Sequence, residues 1–208
     1  MIKVLIADDH PIVRQGLKQI ISDSDDIIVA DEAATSSEAL SKVARTSFDV
    51  VLLDISMPGR SGMEIIKEIR EDASGPAVLI LTSFPEDQYA VRSLKSGASG
   101  YLVKRSAPDE LVKAIRKVSA GGKYISSDLA ETLAFSLESG EGSPHEKLSN
   151  REYQVLLLIA SGMTVSAIAE KLCLSVKTIS THRTRILAKM GMKGNSELMH
   201  YALKHGLA

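Results

Sequence analysis

The sequence predicts an α/β fold of the doubly wound type, with a (βα)5 parallel sheet, followed by a small all-α domain. Three observations support this prediction. Short apolar runs alternate with helical patterns through about the first 120 residues, which is the order expected for a parallel sheet covered by helices on both faces. Residues 136–146 read SLESGEGSPHE and have no hydrophobic period, which is typical of a linker. After this segment, every apolar period is helical.

The predicted strands are five short runs rich in apolar residues. They are IKVLIA (2–7), DIIVADEA (26–33), FDVVLLD (48–54), AVLILT (77–82) and SGYLV (99–103). Between them apolar residues recur at the helical period, and Pro11 and Pro108 stand where a first helical turn tolerates proline. We predict a first domain over 1–120 and a linker over 121–146, in which a short helix can begin at about Asp128.

The predicted second domain, 147–208, contains four helical patterns. Ser149, Thr164 and Ser175 stand as N-caps before three of them. Glu152 lies three residues after Ser149 and completes the sequence pattern of a capping box. The third helix, VKTISTHRTRILAKM, stops at Gly191, and one more helix follows it.

Composition limits the class of protein. The chain has 208 residues, a net charge of −1 and a single cysteine, which excludes an intrachain disulfide and fits a reducing compartment. No apolar stretch approaches the ~18 residues of a membrane span, and the first residues read as a strand rather than a signal peptide. We therefore predict a cytoplasmic protein with no membrane partner.

Charge is distributed unevenly along the chain. Between Glu170 and Glu197 there is no acidic residue. Six basic residues fall in the same interval: Lys171, Lys177, Arg183, Arg185, Lys189 and Lys193. A basic C-terminal part after a more acidic N-terminal part predicts two domains with different partners.

Polar residues stand at the carboxyl ends of four predicted strands: Asp8 with Asp9, Asp54, Thr82 and Lys104. Ligands of an open parallel sheet bind beyond these strand ends. Three neighbouring carboxylates repel one another and favour a divalent cation, and oxygen ligands with open positions suit Mg²⁺. An aspartate beside such a cation can attack a phosphoryl group and form an acyl phosphate. Lys104 and the Thr82 hydroxyl would then bind phosphoryl oxygens.

These motifs resemble a response-regulator receiver domain. The matching segments are the Asp8-Asp9 pair, Asp54 with MPG and Gly62 after it, LTS at 81–83 and YLVK at 101–104. The resemblance implies that Asp54 is the phosphoacceptor. It also implies that Asp8, Asp9, Asp54 and the main-chain carbonyl of Ser56 hold Mg²⁺.

The resemblance further implies a switch pair, Thr82 and Tyr101, and an output surface at about 84–96 and 105–119. In one respect the sequence departs from the pattern. Many receivers have a proline with a cis bond after the lysine, and Arg105 stands there. Because a cis bond costs a non-proline residue ~3 kcal/mol, the geometry of the Lys104–Arg105 peptide is left open.

The helices after Thr164 and Ser175 have the proportions of a helix-turn-helix, in which the second helix enters the major groove of DNA. Its predicted inward stripe comprises Val176, Ile179, Ile186, Leu187 and Met190. Lys and Arg neutralise phosphates, and Ser and Thr reach base edges or phosphates. The predicted DNA-binding residues are Lys177, Thr178, Ser180, Thr181, His182, Arg183, Thr184, Arg185 and Lys189, and all of them except His182 and Lys189 are predicted to be exposed on this helix.

Residues 148–192 resemble the LuxR-type DNA-binding domain of NarL/FixJ regulators. The matching residues include Leu148, Ser149, Arg151, Glu152, Gly162, Ile168, Ala169, Ser175, Lys177, Thr178, Ile179, His182 and Lys189. The family's base-contacting positions correspond to Ser180, Thr181 and Thr184. None is a long bidentate donor, so strong guanine readout is not predicted there and DNA shape supplies some specificity. Cys173 falls at a scaffold position and is predicted to be a small core residue.

The combined prediction is a transcription regulator and not an enzyme. A histidine kinase phosphorylates Asp54, and the homodimer formed on phosphorylation binds double-stranded DNA at two half-sites. Two alternatives remain. A haloacid-dehalogenase-type phosphatase also forms an aspartyl phosphate, but it has an aspartate where this chain has Ser56. The second alternative is a DNA-binding protein whose receiver works without phosphorylation. The complete acid pocket argues against it.

Overall fold

The computed structural model describes residues 1–57, 60–71, 75–84, 86–106, 108–126, 129–131 and 143–207, with residues 87 and 88 described by their backbone alone. The chain divides into two compact units, Met1–Thr132 and Leu133–Ala208. Across the described ranges, no helix combines the length and the apolar character needed to cross a bilayer.

The first unit is built on a five-stranded parallel sheet with the order β2-β1-β3-β4-β5. The strands are β1 Ile2–Ala7, β2 Ile27–Ala33, β3 Val50–Leu53, β4 Ala77–Thr82 and β5 Gly100–Val103. The strand order reverses between β1 and β3, which is the switch point where such sheets bind ligands. The doubly wound fold predicted from the alternating pattern is confirmed.

Helices alternate with these strands, as the sequence predicts. They are α1 Pro11–Ser22, α2 Ser36–Arg45, α3 Gly62–Ile69, α4 Glu86–Lys95 and α5 Pro108–Ser119. One core cluster joins apolar residues of the strands to α1 and α5, through Leu17 and Ile21 of α1 and Leu111 and Ile115 of α5. Burial on both sides explains why the central strands are apolar without alternation.

The start of α3 packs directly on the end of β3. The Gly62 N–H donates to the Ile55 carbonyl at 3.2 Å, and the Ser61 hydroxyl caps α3 by accepting from the Met63 N–H at 3.3 Å. A Cβ atom on Gly62 would lie 2.2 Å from the Asp54 carbonyl oxygen, so only glycine fits without a backbone shift. Pro58 and Gly59 of the MPG motif lie outside the described residues.

The chain returns to the sheet after α5. Tyr124 forms an isolated parallel bridge with Gly100 of β5, because its N–H donates to the Ser99 carbonyl at 2.9 Å and its carbonyl accepts from the Tyr101 N–H at 3.2 Å. Residues 129–131 are helical. Asp128, where a short helix was predicted to begin, lies outside the described residues.

The second unit is helical in its described part. A 3-10 turn, Pro144–Lys147, precedes α6 Asn150–Ala160, α7 Val165–Lys171, α8 Val176–Met190 and α9 Asn195–Lys204. The predicted N-caps are confirmed: Ser149, Thr164 and Ser175 each accept a backbone N–H of the first helical turn, and Ser149 forms a capping box with Glu152. Gly191 ends α8 in the left-handed region, with φ of 67°.

Two predictions about core residues are wrong. Cys173 is exposed rather than buried, because it occupies the turn after α7 in the left-handed region, with φ of 52°. Its N–H and that of Leu174 donate to the Glu170 and Ala169 carbonyls, which closes the helix end. Val176, predicted in the inward stripe, is 50% exposed because it is the first residue of α8, at the end of the buried stripe.

Candidate functional site

The predicted acidic residues meet at one edge of the sheet. Asp8 and Asp9 follow β1 and Asp54 follows the adjacent β3. The side chains of Asp8 and Asp54 are 3% and 2% exposed, whereas that of Asp9 is 28% exposed. One potential ligand atom from each of four residues lies within 4.8 Å of the others. These residues are Asp8, Asp9, His10 and Asp54.

Lys104, which follows β5, joins the two buried carboxylates. Its Nζ lies 2.6 Å from Asp8 Oδ2 and 2.8 Å from Asp54 Oδ2. Burial opposes the charged form of Lys104, but Asp54 and Asp8 outweigh this effect and raise the pKa of Lys104 above its ordinary value. The lysine therefore stays an ammonium group and offsets part of the repulsion between the carboxylates.

Two residues near the acids were missed in the sequence analysis. The His10 imidazole Nδ1 lies 3.2 Å from Asp8 Oδ1 and 2.9 Å from Asp9 Oδ1. Arg14 of α1 donates from Nη1 to the Asp8 carbonyl at 2.7 Å and from Nε to Glu32 at 3.0 Å. Adjacency to the aspartate pair was a signal for His10. No local sequence pattern indicated Arg14, because its partners, the Asp8 carbonyl and Glu32, are at β1 and β2, far from each other in sequence.

The predicted switch residues lie in neighbouring strands. Thr82 is fully buried at the end of β4, and among the described residues its Oγ1 has no hydrogen-bond partner. Tyr101 is fully buried on β5, and its hydroxyl donates to the Phe84 carbonyl at 3.0 Å. The Tyr101 ring therefore lies inside the protein, where it holds the chain that follows β4.

The remaining predicted pocket residues are placed as follows. Ser56 is exposed, and its N–H donates to Asp54 Oδ1 at 3.3 Å; the role of its carbonyl as a ligand stays a prediction. The Lys104–Arg105 peptide is trans, as no cis bond occurs among the described residues. The residue after the lysine thus keeps the geometry that a non-proline bond favours.

The oxygen-rich pocket fits Mg²⁺. Asp9 Oδ1 is buried and has no hydrogen-bond partner among the described residues, although His10 Nδ1 lies 2.9 Å from it. A buried carboxylate oxygen without a donor is costly unless a cation or water satisfies it. Carboxylate oxygens are also the protein ligands that Mg²⁺ prefers.

The second candidate site is the exposed face of α8. Lys177, Ser180, Thr181, Thr184 and Arg185 are exposed on this face, at helical spacing. The opposite face carries Ile179, Ile186 and Met190, which are buried. We call the exposed set, Lys177, Ser180, Thr181, Thr184 and Arg185, the α8 face. Its two threonine hydroxyls donate to carbonyls one turn earlier, from Thr181 to Lys177 at 2.9 Å and from Thr184 to Ser180 at 3.0 Å.

Four other predicted DNA-binding residues lie off the α8 face or form hydrogen bonds with residues of the same unit. Thr178 and Arg183 were predicted to be exposed but are half-buried, as is His182. The Thr178 hydroxyl lies 2.8 Å from that of the N-cap Ser175, and Arg183 Nε donates to Asn195 Oδ1 at 2.6 Å. Lys189 is exposed, but its Nζ donates to Glu152 Oε2 at 2.6 Å.

Glu152 is the buried anion of the second unit. Its side chain is 4% exposed, and it accepts the Ser149 N–H at 2.8 Å as well as the Lys189 ammonium. Burial opposes the charged carboxylate, but Lys189 and Ser149 outweigh it and hold the pKa of Glu152 below its usual range. Lys189 therefore links the end of α8 to the capping box of α6.

Both units match known protein families. Residues 4–116 match the response regulator receiver domain, and residues 146–202 match the LuxR family of bacterial regulatory proteins. The chain belongs to the response regulators. The order of the two domains and the LuxR-type helices agree with the resemblance found in the sequence, so the prediction of a NarL/FixJ-type regulator is confirmed.

Response regulators similar over the whole chain include two curated relatives. Response regulator UvrY of Escherichia coli K12 is 40% identical over 209 residues, which cover 100% of this chain and 96% of UvrY. Response regulator GacA of Pseudomonas protegens is 39% identical over 208 residues, covering 100% of this chain and 98% of GacA. The similarity therefore extends through both units.

Solved structures show the same similarity. RcsB of Salmonella enterica serovar Typhimurium, bound to promoter rprA with the phosphomimetic BeF3−, is 29% identical with a TM-score of 0.64; the match covers 96% of this chain and 97% of RcsB. A LuxR-family two-component response regulator from Aurantimonas is 36% identical with a TM-score of 0.60, covering 65% of this chain and 96% of that one.

Proposed function

We propose that this response regulator accepts a phosphoryl group on Asp54 from a histidine kinase, in a Mg²⁺-dependent step that controls dimerisation and sequence-specific DNA binding. The observation that carries the proposal is the environment of Asp54. Its carboxylate is buried at the switch point, contacts Lys104 through Oδ2 and lies beside the aspartate pair that follows β1. A buried nucleophile flanked by acids and one ammonium group suits phosphoryl transfer.

The residues of the pocket have distinct roles in this step. An Asp54 oxygen attacks phosphorus, the bond between phosphorus and the kinase imidazole breaks, and that imidazole keeps the electron pair. Lys104, already 2.8 Å from Asp54 Oδ2, binds a phosphoryl oxygen, and the buried Thr82 hydroxyl donates to another. Asp8, Asp9, Asp54 and the Ser56 carbonyl would hold Mg²⁺, which neutralises charge on the transferring group.

The switch follows from the placement of Thr82 and Tyr101. An acyl phosphate adds roughly −1.5 to −2 charges and strong acceptor oxygens, and it attracts the Thr82 hydroxyl, whose Oγ1 has no hydrogen-bond partner among the described residues. Glu86, the first residue of α4, is four positions after Thr82, and Tyr101 holds the Phe84 carbonyl between them. A shift of Thr82 therefore changes the start of α4, on the predicted output surface.

The α8 face supplies the DNA contacts in this proposal. Lys177 and Arg185 neutralise phosphates, while Ser180, Thr181 and Thr184 reach base edges. RcsB, a similar response regulator, binds promoter DNA in the presence of a phosphomimetic, which supports the same output for this chain. A homodimer would place two such helices in successive major-groove half-sites.

The proposal assigns a role to each part of the chain. Residues 1–120 form the receiver, 121–146 the linker and 147–208 the DNA-binding domain. The role is regulatory rather than catalytic, since Ser56 replaces the general acid that a phosphatase of the haloacid-dehalogenase type requires. The proposed partners, a histidine kinase and double-stranded DNA, imply a cytoplasmic site of action.

A phosphomimetic experiment tests the proposal. The full chain is mixed with BeF3− and Mg²⁺, and its mass in solution and its affinity for promoter DNA are measured. We expect dimerisation and tighter DNA binding in the wild type and in Asp25→Asn, which changes an exposed aspartate near the opposite ends of the strands. Asp54→Asn should remove both responses. An equal response from Asp54→Asn would refute the proposed phosphoacceptor.

A further inference from the structure

We propose that a hydrogen bond between Ser126 of the linker and Glu86 of α4 fastens the linker to the receiver, and that phosphorylation breaks it. We call this hydrogen bond the Ser126–Glu86 contact. The inference rests on the proposed function and deepens it, because it names what a shift of α4 changes. The element that is released is the chain that leads to the DNA-binding domain.

The linker first runs along β5, which is an edge strand of the sheet. Tyr124 pairs with Gly100 in a parallel bridge. A Cβ atom on Gly100 would lie 2.7 Å from the Tyr124 carbonyl oxygen and 2.9 Å from Leu79 Cδ1, so an approach this close needs glycine in the strand. Lys123 adds a hydrogen bond from its Nζ to the Ala98 carbonyl at 2.6 Å. These contacts bring the linker to the start of α4.

The linker meets the predicted switch at two points. The Tyr124 carbonyl accepts the N–H of Tyr101 at 3.2 Å, and the hydroxyl of Tyr101 donates to the Phe84 carbonyl at 3.0 Å. Two residues further along the linker, the Ser126 hydroxyl donates to the carboxylate of Glu86, the first residue of α4. The linker is therefore bonded both to the switch tyrosine and to the segment that follows β4.

Ser126 also organises the helical turn of the linker. Its Oγ accepts the Leu129 N–H at 3.1 Å, and its carbonyl accepts the Ala130 N–H at 3.0 Å, which is the bonding pattern of an N-cap residue. The Leu129 side chain is 3% exposed, so this turn is packed rather than free in solvent. A single hydroxyl group thus joins the first turn of the linker helix to the first turn of α4.

A shift of α4 would break this joint. In the proposed function, Thr82 turns towards the phosphoryl group, and the chain between Thr82 and Glu86 follows it. A hydrogen bond is lost once its donor and acceptor are about 3.6 Å apart, so a displacement of ~1 Å at Glu86 is enough. A hydrogen bond to a carboxylate is stronger than one between neutral groups. Its loss should therefore be visible as more frequent opening of the linker turn.

Hydrogen exchange of the full chain tests the inference. Mass spectrometry follows a peptide that contains residues 129–131, with and without BeF3− and Mg²⁺. The N–H groups of Leu129 and Ala130 are direct reporters, because both donate to Ser126. The mass of the protein in solution is measured in the same samples, so that the response of the receiver is recorded independently of the linker.

Two variants remove the Ser126–Glu86 contact and keep the cap of the linker helix. Ser126→Asp retains an N-cap acceptor but has no proton to donate to the glutamate. Glu86→Ala removes the acceptor and leaves the serine in place. The matched control is Glu64→Ala, which removes a half-buried glutamate from the first turn of a different helix, α3.

Without BeF3−, we expect both contact variants to exchange the reporter amides about tenfold faster than the wild type, or more, and Glu64→Ala to match the wild type. BeF3− should raise the wild-type rate to that of the variants and change the variants little. A wild-type rate in either contact variant, or an unchanged rate in a wild type that dimerises with BeF3−, would overturn the inference. A wild type that shows no response to BeF3−, beside two faster variants, contradicts the proposed function and leaves the Ser126–Glu86 contact standing.

Discussion

Replacing Gly62 by alanine should disturb the proposed phosphorylation site at Asp54, although Gly62 is not one of its ligands. The added Cβ would lie 2.2 Å from the Asp54 carbonyl oxygen and 3.1 Å from both the Asp54 carbonyl carbon and the Ile55 Cα. All three atoms belong to the backbone, so no side chain can turn away. Ordinary contacts of a Cβ atom begin at 3.4 Å, so the end of β3 or the start of α3 must move by roughly 1 Å.

The cost follows from that displacement. Overpacking a well-packed core costs about 1–3 kcal/mol. We expect Gly62→Ala to lower the free energy of unfolding by about 3 kcal/mol, because the clash is between rigid backbone groups. A shift of ~1 Å at a reacting group can slow chemistry by about a hundredfold. The Asp54 carboxylate shares its residue with the displaced carbonyl, so phosphorylation by acetyl phosphate with Mg²⁺ should slow by that order.

Two assays and one control test this prediction. Hydrogen exchange of peptides from β3 and α3 gives the stability of the first unit separately from the second, and a gel-shift assay follows phosphorylation. The control is Gly16→Ala in α1, where no atom lies within 4 Å of the new Cβ. It should stabilise the unit by about 0.5–1 kcal/mol, since alanine is the better helix former. A Gly62→Ala variant with wild-type stability and phosphorylation rate would refute the reasoning.

Three further outcomes are expected. Glu152→Gln should destabilise α6 by about 1–2 kcal/mol at neutral pH, because Lys189 loses its charged partner. Folding lowers the pKa of Glu152, so this loss of stability should be seen above the unfolded pKa of ~4.3 and should fade as the pH falls below about 4. Hydrogen exchange measured across this pH range tests the prediction. Cys173→Gly should raise stability by about 0.5–1 kcal/mol in thermal unfolding, because glycine tolerates the left-handed backbone; a lowered melting temperature would contradict this. Lys177→Ala should weaken DNA binding and reduce its salt slope by about one, whereas Lys189→Ala should leave the slope unchanged and destabilise α6; equal slope changes would place both lysines on DNA.

The sequence predicts the acid pocket well because parallel strands end at a shared edge. Once β1, β3 and β5 are recognised as parallel strands, Asp8, Asp54 and Lys104 are expected at the same edge of the sheet, and the long side chain of Lys104 crosses the end of β4 to reach both aspartates. The N-caps are likewise local, since Ser149 and its partner are only three residues apart. These features depend on periodicity and short spacing, which a single sequence displays directly.

The features that sequence reasoning missed depend on contacts between distant segments. Arg14 binds the Asp8 carbonyl and Glu32 of another strand, and no spacing rule connects them. The partner of Lys189 lies 37 residues away, on α6. The prediction that Cys173 is a core residue was wrong for a different reason. It rested on the apolar character of the side chain and did not recognise the left-handed turn that closes α7.

The hydroxyl protons of Thr181 and Thr184 determine which bases the α8 face could contact in the proposed DNA complex. Each proton is committed to a carbonyl of the same helix, so each oxygen offers only lone pairs to an incoming groove. In the major groove the exposed donors are the amino groups of adenine and cytosine, whereas guanine and thymine offer acceptors. In the DNA complex proposed for this face, threonines that already donate their hydroxyl protons would favour adenine or cytosine opposite those two positions.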